Sequence, residues 1–558
     1  MRALPSHSPG AFLLSRHWAA VLLAGVLAAS VSQAAEAGPV ASATTASPPG
    51  WKTDWARGAV FYEVFVRSFQ DSDGDGVGDL KGLTSRLDYL KELGVDAIWL
   101  MPIFESPSYH GYDTEDYENI NSDYGTNADF EAFVREAHAR GMRVILDFVI
   151  NHTSAEHPWF IQSASSRSSP KRDWYIWRED DPGWIQPFGD KRTWHKKNGS
   201  YFYGVFWEGM PDLNLRNQEV RAEMKRVTRL WLDRGVDGFR LDAARHMIET
   251  GPGKEGQNNT PDTHAYWKDL SDYVRSIKPE ALLIGEMWDT TPAIAAYYGS
   301  TREVRGGDEL PMTINFPLSD AVREAVKTGE TVPLAAKLEE IHRLYPAGVL
   351  DGTFLTNHDQ PRLAALLDND PAKLRSAAAL LLTLPGSPFL YYGEELGIWN
   401  TIGGGDVRQR TPMPWDGSPN AGFITNRPWY YITRGRPWAP LAPGHETANV
   451  ATEQADPDSL LSHYRRLTRL RRDSRAIREG TLKLLTPTVG SSPVFAFTLE
   501  AGSDKVLVLH NLGKSPAEVT YPYKVTETLF GKDVGGQKLE TGWTGTLPAQ
   551  SSVVLRIQ

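Results

Sequence analysis

Gly238-Phe-Arg240-Leu-Asp242-Ala-Ala-Arg-His246 runs from glycine and apolar residues straight into an aspartate, an arginine and a histidine. A short apolar run predicts a buried strand, and ionisable groups at its end are costly to bury without a purpose. Similar runs lie on both sides: Val60–Val66, Ala97–Leu100 and Val144–Val149 before it, then Leu282–Gly285, Thr313–Phe316, Gly352–Leu355 and Phe389–Tyr392. With Gly238–Leu241 these make eight predicted strands. Helical patterns intervene, as at Asp129–Arg140, Glu219–Arg234 and Ala372–Leu384. Such alternation predicts parallel strands joined by crossover helices. Eight units fit an α/β fold of the closed (β/α)8 TIM-barrel type, with an open doubly wound sheet as the competitor. The strand ends favour the barrel. Asp147 ends the third strand, Asp242 the fourth and Glu286 the fifth, and His358-Asp359 follow the seventh. A barrel brings these C-terminal ends together on one face. One such acid is commonly a helix cap; four, with an arginine and two histidines, point to catalysis.

The 558 residues are too many for one simple domain, and 41% hydrophobic content supplies a large core. Core packing accounts for most of the 18 tryptophans and 21 tyrosines. A net charge of −10 without a long basic run gives no support to a nucleic-acid partner. The absence of cysteine excludes disulfides, thiol catalysis and thiolate metal sites. Arg2 and Arg16 precede an apolar run from Trp18 to Val31, followed by Ala34, Ala35 and Ala37. This is a signal-peptide pattern, and the run is shorter than the roughly 20 residues that span a bilayer. It predicts cleavage near residues 34–37, a secreted or periplasmic chain, and no membrane association afterwards.

The predicted organisation is a signal peptide (1–37), a flexible Ala/Ser/Thr/Pro-rich stretch (38–51), a barrel (52–475) and a C-terminal β-sandwich (476–558). Residues 152–214, rich in Trp, Pro, Gly and charge and without a helical period, are too long for a strand-to-helix loop and read as an inserted subdomain. After a helical stretch at Ser459–Arg472, Leu482–Leu485, Val494–Leu499, Lys505–Leu509, Ala517–Tyr521 and Ser551–Ile557 read as strands of an all-β cap.

The acids suit glycoside cleavage with retention, which needs one ionised and one protonated carboxyl in close proximity. Arg240, two residues before Asp242, shares its strand face and is expected to keep that carboxylate ionised. A third carboxylate would stabilise the cationic transition state.

Four segments together resemble glycoside hydrolase family 13, the α-amylase family: Asp147-Phe-Val-Ile-Asn151-His152, Gly238 to His246, Gly285-Glu286-Met-Trp288-Asp289 and Phe354-Leu-Thr-Asn-His358-Asp359. The resemblance implies Asp242 as nucleophile, Glu286 as general acid/base and Asp359 as transition-state stabiliser. It implies that Arg240 orients the nucleophile, that His152 and His358 contact hydroxyls of the cleaved glucose, and that Tyr112 lies beneath that sugar. His246, with Arg245, would line the leaving-group side, and Arg410 resembles an arginine near the cleaved sugar in the α-glucosidase branch. The implied substrate is an α-glucan or maltooligosaccharide. A non-catalytic sugar-binding barrel would carry a damaged acid set or an anchoring helix, and neither is present.

Asp71-Ser-Asp73-Gly-Asp75-Gly-Val77-Gly-Asp79 puts carboxylates on alternate positions of a glycine-rich loop, a pattern able to wrap calcium. An EF-hand is excluded because its twelfth position falls on Gly82. The loop is similar to the calcium loop of oligo-1,6-glucosidase relatives, which implies side-chain ligation by Asp71, Asp73, Asp75 and Asp79, carbonyl ligation by Val77, and a structural Ca2+. Asn151 matches a second calcium ligand of many α-amylases.

Met210-Pro-Asp-Leu-Asn214 resembles an intermediate between the oligo-1,6-glucosidase and neopullulanase groups. Ala243 is small where α-1,6-specific relatives carry valine, which favours α-1,4 bonds. The expectation is an endo-acting α-amylase, working as a monomer. Exo-acting α-glucosidase, cyclomaltodextrinase or neopullulanase activity and glucosyl transfer remain open alternatives.

Overall fold

The computed structural model describes residues 50–400, 405–425, 437–486, 490–531, 536–539 and 542–558. The predicted signal peptide and nearly all of the stretch after it lie outside the described residues. Eight parallel strands close a barrel: β1 (Phe61–Val64), β2 (Ala97–Leu100), β3 (Arg143–Phe148), β4 (Gly238–Leu241), β5 (Leu282–Gly285), β6 (Met312–Ile314), β7 (Leu350–Phe354) and β8 (Ser387–Tyr391). Consecutive strands are neighbours, and β1 meets β8 with Phe61 opposite Phe389. The open doubly wound alternative is thereby excluded.

The barrel interior is filled by Phe61, Trp99, Ile145, Ile284, Met312 and Phe389, with the Phe61 and Phe389 rings stacked 4.3 Å apart. Burial of each such side chain stabilises the fold by about 1.5–3 kcal/mol. Outside, helix Gln218–Asp233 buries Val220, Met224, Val227 and Trp231. Those residues recur at the three- and four-residue spacing of a single helical stripe, so the helix packs onto the sheet along that stripe. Its start is fixed by Asn217, whose side chain accepts the Glu219 amide. A Cβ on Gly238 would fall 2.1 Å from the Leu282 carbonyl oxygen. Glycine there allows β4 and β5, the strands that lead to Asp242 and Glu286, to pair closely.

After β3 the chain leaves the barrel into an insert with a three-stranded antiparallel sheet, ordered Trp177–Arg178, Ser200–Tyr203, Trp194–Lys197. The insert also contains a helix, Pro158–Ser165, although its sequence shows no helical period. Its two turns are too few for a periodic pattern to stand out. Local chemistry specifies it instead, with proline in the first turn and the His157 side chain accepting the Trp159 amide.

The C-terminal region forms a five-stranded antiparallel sheet (Thr481–Leu484, Val494–Ala501, Asp504–Asn511, Ser551–Ile557, Val525–Phe530) and a three-stranded one (Ala517–Tyr521, Gly542–Leu547, Gln537–Leu539). Val525–Phe530, Gln537–Leu539 and Gly542–Leu547 were not among the predicted strands. Val525–Phe530 exposes three consecutive residues, Thr526 to Thr528, so the alternation that announces a strand is missing.

Helix Leu460–Asp473 joins the two regions. Its Arg471, fully buried, donates from Nε to the Gly58 carbonyl (2.9 Å) and from Nη1 to the Leu382 and Leu384 carbonyls (3.1 Å each). Nη2 donates to the Gly386 carbonyl. One guanidinium thus ties the chain before β1 to the chain before β8, across the seam where the barrel closes. Among the described residues no helix is long and apolar enough to cross a membrane.

Candidate active site

At the C-terminal rim of the barrel a cavity of about 570 Å³ is lined by Tyr112, His152, Asp242, His246, Glu286 and Asp359, together with Phe188, Phe206, Met210 and Trp288. Of the acids predicted from four strands, Asp242, Glu286 and Asp359 line it, and Asp147 lies behind them on Arg240. Arg240 is wholly buried and organises three of them. Its Nη1 donates to Asp242 Oδ1 at 2.7 Å and to Asp147 Oδ1 at 3.0 Å, and Nη2 lies 3.0 Å from Glu286 Oε1. Glu286 is held from its other oxygen by the Ala243 amide at 2.9 Å. Ala243 adopts a left-handed conformation, φ 51°, rare for a residue with a Cβ. The strain, of order 1 kcal/mol, turns the amide that follows Asp242 toward Glu286.

The electrostatics differ from the sequence expectation in one respect. Arg240 was expected to hold Asp242 low, yet burial pushes that carboxyl up to about 8; Arg240 opposes the rise, and Glu286 and Asp147 add to it. One guanidinium shared among three carboxylates leaves the group with excess negative charge, so it retains a proton. Asp147 is likewise raised by burial, to about 6, against the pull of Arg240 and His358. Asp359 goes the other way. Burial alone would raise it, but His358, Arg410 and Arg240 together hold it well below the usual carboxylate range.

Arg410 donates from Nη2 to Asp359 Oδ1 at 3.1 Å and from Nε to the His358 carbonyl at 3.1 Å. His358 Nε2 lies 2.6 Å from Tyr112 Oη and 3.2 Å from Asp359 Oδ2. Tyr112 Oη donates to Asp147 Oδ2 at 3.1 Å, and its ring stacks on the His358 imidazole at 5.4 Å. His152 Nε2 faces the Tyr112 carbonyl at 3.0 Å; burial lowers this imidazole to about 4, so it is neutral. His246 is lowered by burial to about 3. Its Nε2 accepts from Arg245 Nε at 3.1 Å, which leaves Nδ1 to donate to the Gln257 carbonyl at 3.1 Å. Every predicted acid and substrate-contact residue therefore belongs to one connected site.

Residues 63–480 match the model of the α-amylase catalytic domain, and residues 494–554 match that of the α-amylase SusG C-terminal domain. The chain belongs to the α-amylase family. Alpha-amylase 3 of Dictyoglomus thermophilum is 41% identical over 468 residues, covering 83% of this chain and 87% of that protein. Trehalose synthase of Pimelobacter sp. is 36% identical over 526 residues (84% and 89%), and oligo-1,6-glucosidase of Parageobacillus thermoglucosidasius is 32% identical over 547 residues (85% and 94%). Among solved structures, the α-amylase from H. orenii superposes with a TM-score of 0.79 at 36% identity, covering 90% of this chain and all of that one.

Several parts of the enzyme's site were not read from the sequence. Glu63, on β1 and 1% exposed, accepts at Oε1 from His358 Nδ1. The predicted strand Val60–Val66 placed Glu63 at its middle, and only the shorter observed strand, Phe61–Val64, brings it next to a strand end like the other acids. Trp288 is 46% exposed, with one face stacked on Phe316 at 4.7 Å and the rest at the cavity wall. Phe188 and Phe206 reach the cavity from the insert, whose sequence carries no periodicity to reveal them.

The acidic loop brings Asp71, Asp73 and Asp79 together, with carboxylate oxygens within 4.8 Å of one another. Asp71 is raised by burial to about 6, moderated by amides of Gly74 and Gly76 and reinforced by Asp75 and Asp73. Asp79 accepts from the Ser72 amide and hydroxyl and from the Gly82 amide. Converging, mutually repelling carboxylates around a glycine-rich turn fit a hard cation. Asp75 lies outside this close cluster; its Oδ1 accepts from the Val77 amide at 2.7 Å, as Asp73 Oδ1 accepts from the Asp75 amide at 3.1 Å. Asn151 is buried and donates to Asp212 Oδ2 at 3.1 Å; Asp212 comes from the insert. That bond uses the Asn151 amide nitrogen, and its Oδ1, the atom a calcium ion would take, has no hydrogen-bond partner among the described residues.

Proposed function

We propose that this chain is a retaining, endo-acting α-amylase that cleaves α-1,4-glucosidic bonds in starch or maltooligosaccharides. The observation that carries this reading is the grip of Arg240 on both Asp242 and Glu286, with Asp359 in the same cavity. Two carboxyls on one guanidinium cannot stand far apart, which suits a direct displacement better than the wide gap that an inverting enzyme leaves for water. In this mechanism Asp242 attacks the anomeric carbon while Glu286 gives its proton to the departing glycosidic oxygen. Glu286 then takes a proton from water, which attacks the same carbon and releases Asp242, restoring the α configuration. The pair must carry one proton between them, and the raised Asp242 carboxyl means that the cluster holds one near neutrality. Asp359, kept ionised by His358 and Arg410, sits where positive charge develops on the sugar ring.

Ala243, flat and small beside Asp242, supports α-1,4 specificity, and the α-amylase relative at 41% identity supports polymer cleavage. Support for a position between the oligo-1,6-glucosidase and neopullulanase groups comes from Met210 to Asn214. A second reading, exo-acting glucosidase or glucosyl transfer, draws on the oligo-1,6-glucosidase and trehalose synthase relatives. Time-resolved products from soluble starch, pullulan and cyclodextrin separate the two. Early mid-sized maltooligosaccharides support endo action; glucose alone, released from chain ends, overturns it.

For the acidic loop the proposed occupant is calcium, held by Asp71, Asp73, Asp75 and Asp79 with the Val77 carbonyl, and supplying charge neutralisation rather than chemistry; the convergence of Asp71, Asp73 and Asp79 supports it. Secretion or periplasmic export is proposed from Arg2, Arg16 and the Trp18–Val31 run.

A further inference from the structure

Glu63 is a buried carboxylate that the hydrolytic steps above do not use. It projects from β1 beneath the imidazole of His358, on the side away from Asp359. The hydrogen bonds around that ring leave little freedom in where its protons lie. Tyr112 Oη has one proton, and it is directed to Asp147 Oδ2 at 3.1 Å. Nε2 lies 2.6 Å from that phenol oxygen and 3.2 Å from Asp359 Oδ2, and a carboxylate oxygen can only accept, so Nε2 carries a proton. The second ring nitrogen, Nδ1, faces a Glu63 carboxylate oxygen, which also accepts. Both nitrogens thus donate, and a histidine with two N–H groups is an imidazolium.

We propose that Glu63 is a positioning residue that keeps His358 doubly protonated, so that His358 holds Asp359 ionised and in place against the sugar. The proposal rests on the hydrolase reading of the same site. Other charged or titratable groups face His358 from every side. Tyr112 comes from the loop after β2, Asp147 lies on β3, Arg240 on β4, Asp359 follows in the chain, and Arg410 reaches in from the segment after β8. Asp147, Asp359 and Glu63 favour the charged ring, whereas Arg240 and Arg410 oppose it. Burial alone would depress the imidazole; Asp359 and Glu63 instead raise it to about 9. Trp99 closes one side edge-on at 5.8 Å, which removes water as an alternative partner there.

The carboxyl of Glu63 thus acts on the substrate only through two intermediaries, His358 and Asp359. Glu63→Gln keeps a carbonyl oxygen for Nδ1–H and removes the charge. His358 in that variant should titrate inside the assay range and lose its positive charge toward alkaline pH. Below its lowered pKa, acid restores the imidazolium that Glu63 normally secures. The Glu63→Gln variant is accordingly expected to lose about tenfold or more in kcat/KM at pH 7.5 and less than about threefold at pH 5.5, with the fall mainly in kcat. A merely structural role would give a loss that acid does not repair.

The deciding measurement is a long-range 1H–15N correlation spectrum of the 15N-histidine-labelled enzyme at pH 7, with His358 assigned by its loss in His358→Gln. Imidazolium shifts on both nitrogens are the expected result, moving to one bare nitrogen in Glu63→Gln. A neutral His358 in the wild-type spectrum overturns the proposal, as does an equal activity loss for Glu63→Gln at both pH values. Should the variant fail to fold, the wild-type spectrum decides alone. Because it is read without turnover, a neutral ring would sink this inference and leave the hydrolase reading intact, whereas a charged ring in an enzyme inert on all α-glucans would do the reverse.

Discussion

Two acidic clusters lie after neighbouring parts of the barrel, and they are neutralised in different ways. Around Arg240, three carboxylates from β3 and the ends of β4 and β5 share one buried guanidinium. In the Asp71–Asp79 loop, three carboxylates converge with no Lys or Arg ion pair to Asp71, Asp73 or Asp79 among the described residues, supported by amides and by the Ser72 hydroxyl. A fixed internal cation cannot leave, so the first cluster keeps its geometry while its protons move. The second has no such internal cation among the described residues, and the calcium proposed for it would come from solution. The comparison teaches that two clusters of similar acid count differ in where positive charge can be stored, inside the fold for the proposed reactive centre and outside it for the proposed clasp.

The largest effect belongs to the first cluster. Asp242→Asn or Glu286→Gln should lower kcat by about a thousandfold or more while the melting temperature stays within a few degrees. Near-normal turnover in either variant removes the assigned roles. Next comes the cation itself. Arg240→Gln leaves buried carboxylates uncompensated, an expected destabilisation of about 3–5 kcal/mol in denaturant melts. A stability equal to wild type would mean that the guanidinium is not what holds the cluster, and the contrast with the loop would collapse.

The second cluster should respond to chelation instead. Calcium at about a hundred times its Kd would add about 2.7 kcal/mol to unfolding, so EDTA should lower the melting temperature, and Asp73→Asn should abolish the difference between calcium and EDTA. An identical melt with and without the ion rules out the clasp. The smallest effect is in the pH profile. A carboxyl raised to about 8 keeps its proton below that pH and loses it above, so kcat/KM should fall about tenfold per unit on the alkaline side. A flat profile to pH 9.5 would show that the shared proton is not required.

What the sequence made legible followed from how each signal is encoded. The barrel strands announced themselves because most are short, largely apolar runs buried on both faces, as in β2 and β5. The acids stood out because charge directly after such a run has no packing explanation. Glu63 was passed over although it too lies on a strand, since no motif flanks it and its partner, His358, is 295 residues away in sequence. Phe188 and Phe206 gave no signal at all, because an irregular insert encodes its contacts in tertiary structure alone. The charge on Asp242 was misjudged for a related reason. Proximity in sequence revealed Arg240 but not the two other carboxylates that compete for it.

Arg471 has a bearing on how the molecule is made. The residue that laces the entrance to β1 onto the entrance to β8 is encoded well after both strands, within helix Leu460–Asp473. During synthesis from the N-terminus, all eight staves can leave the ribosome before the fastener that hoops them together has been translated. A nascent chain halted soon after β8 would hold a complete set of strands with an unlatched seam, and ring closure becomes secure only when the connecting helix arrives to dock.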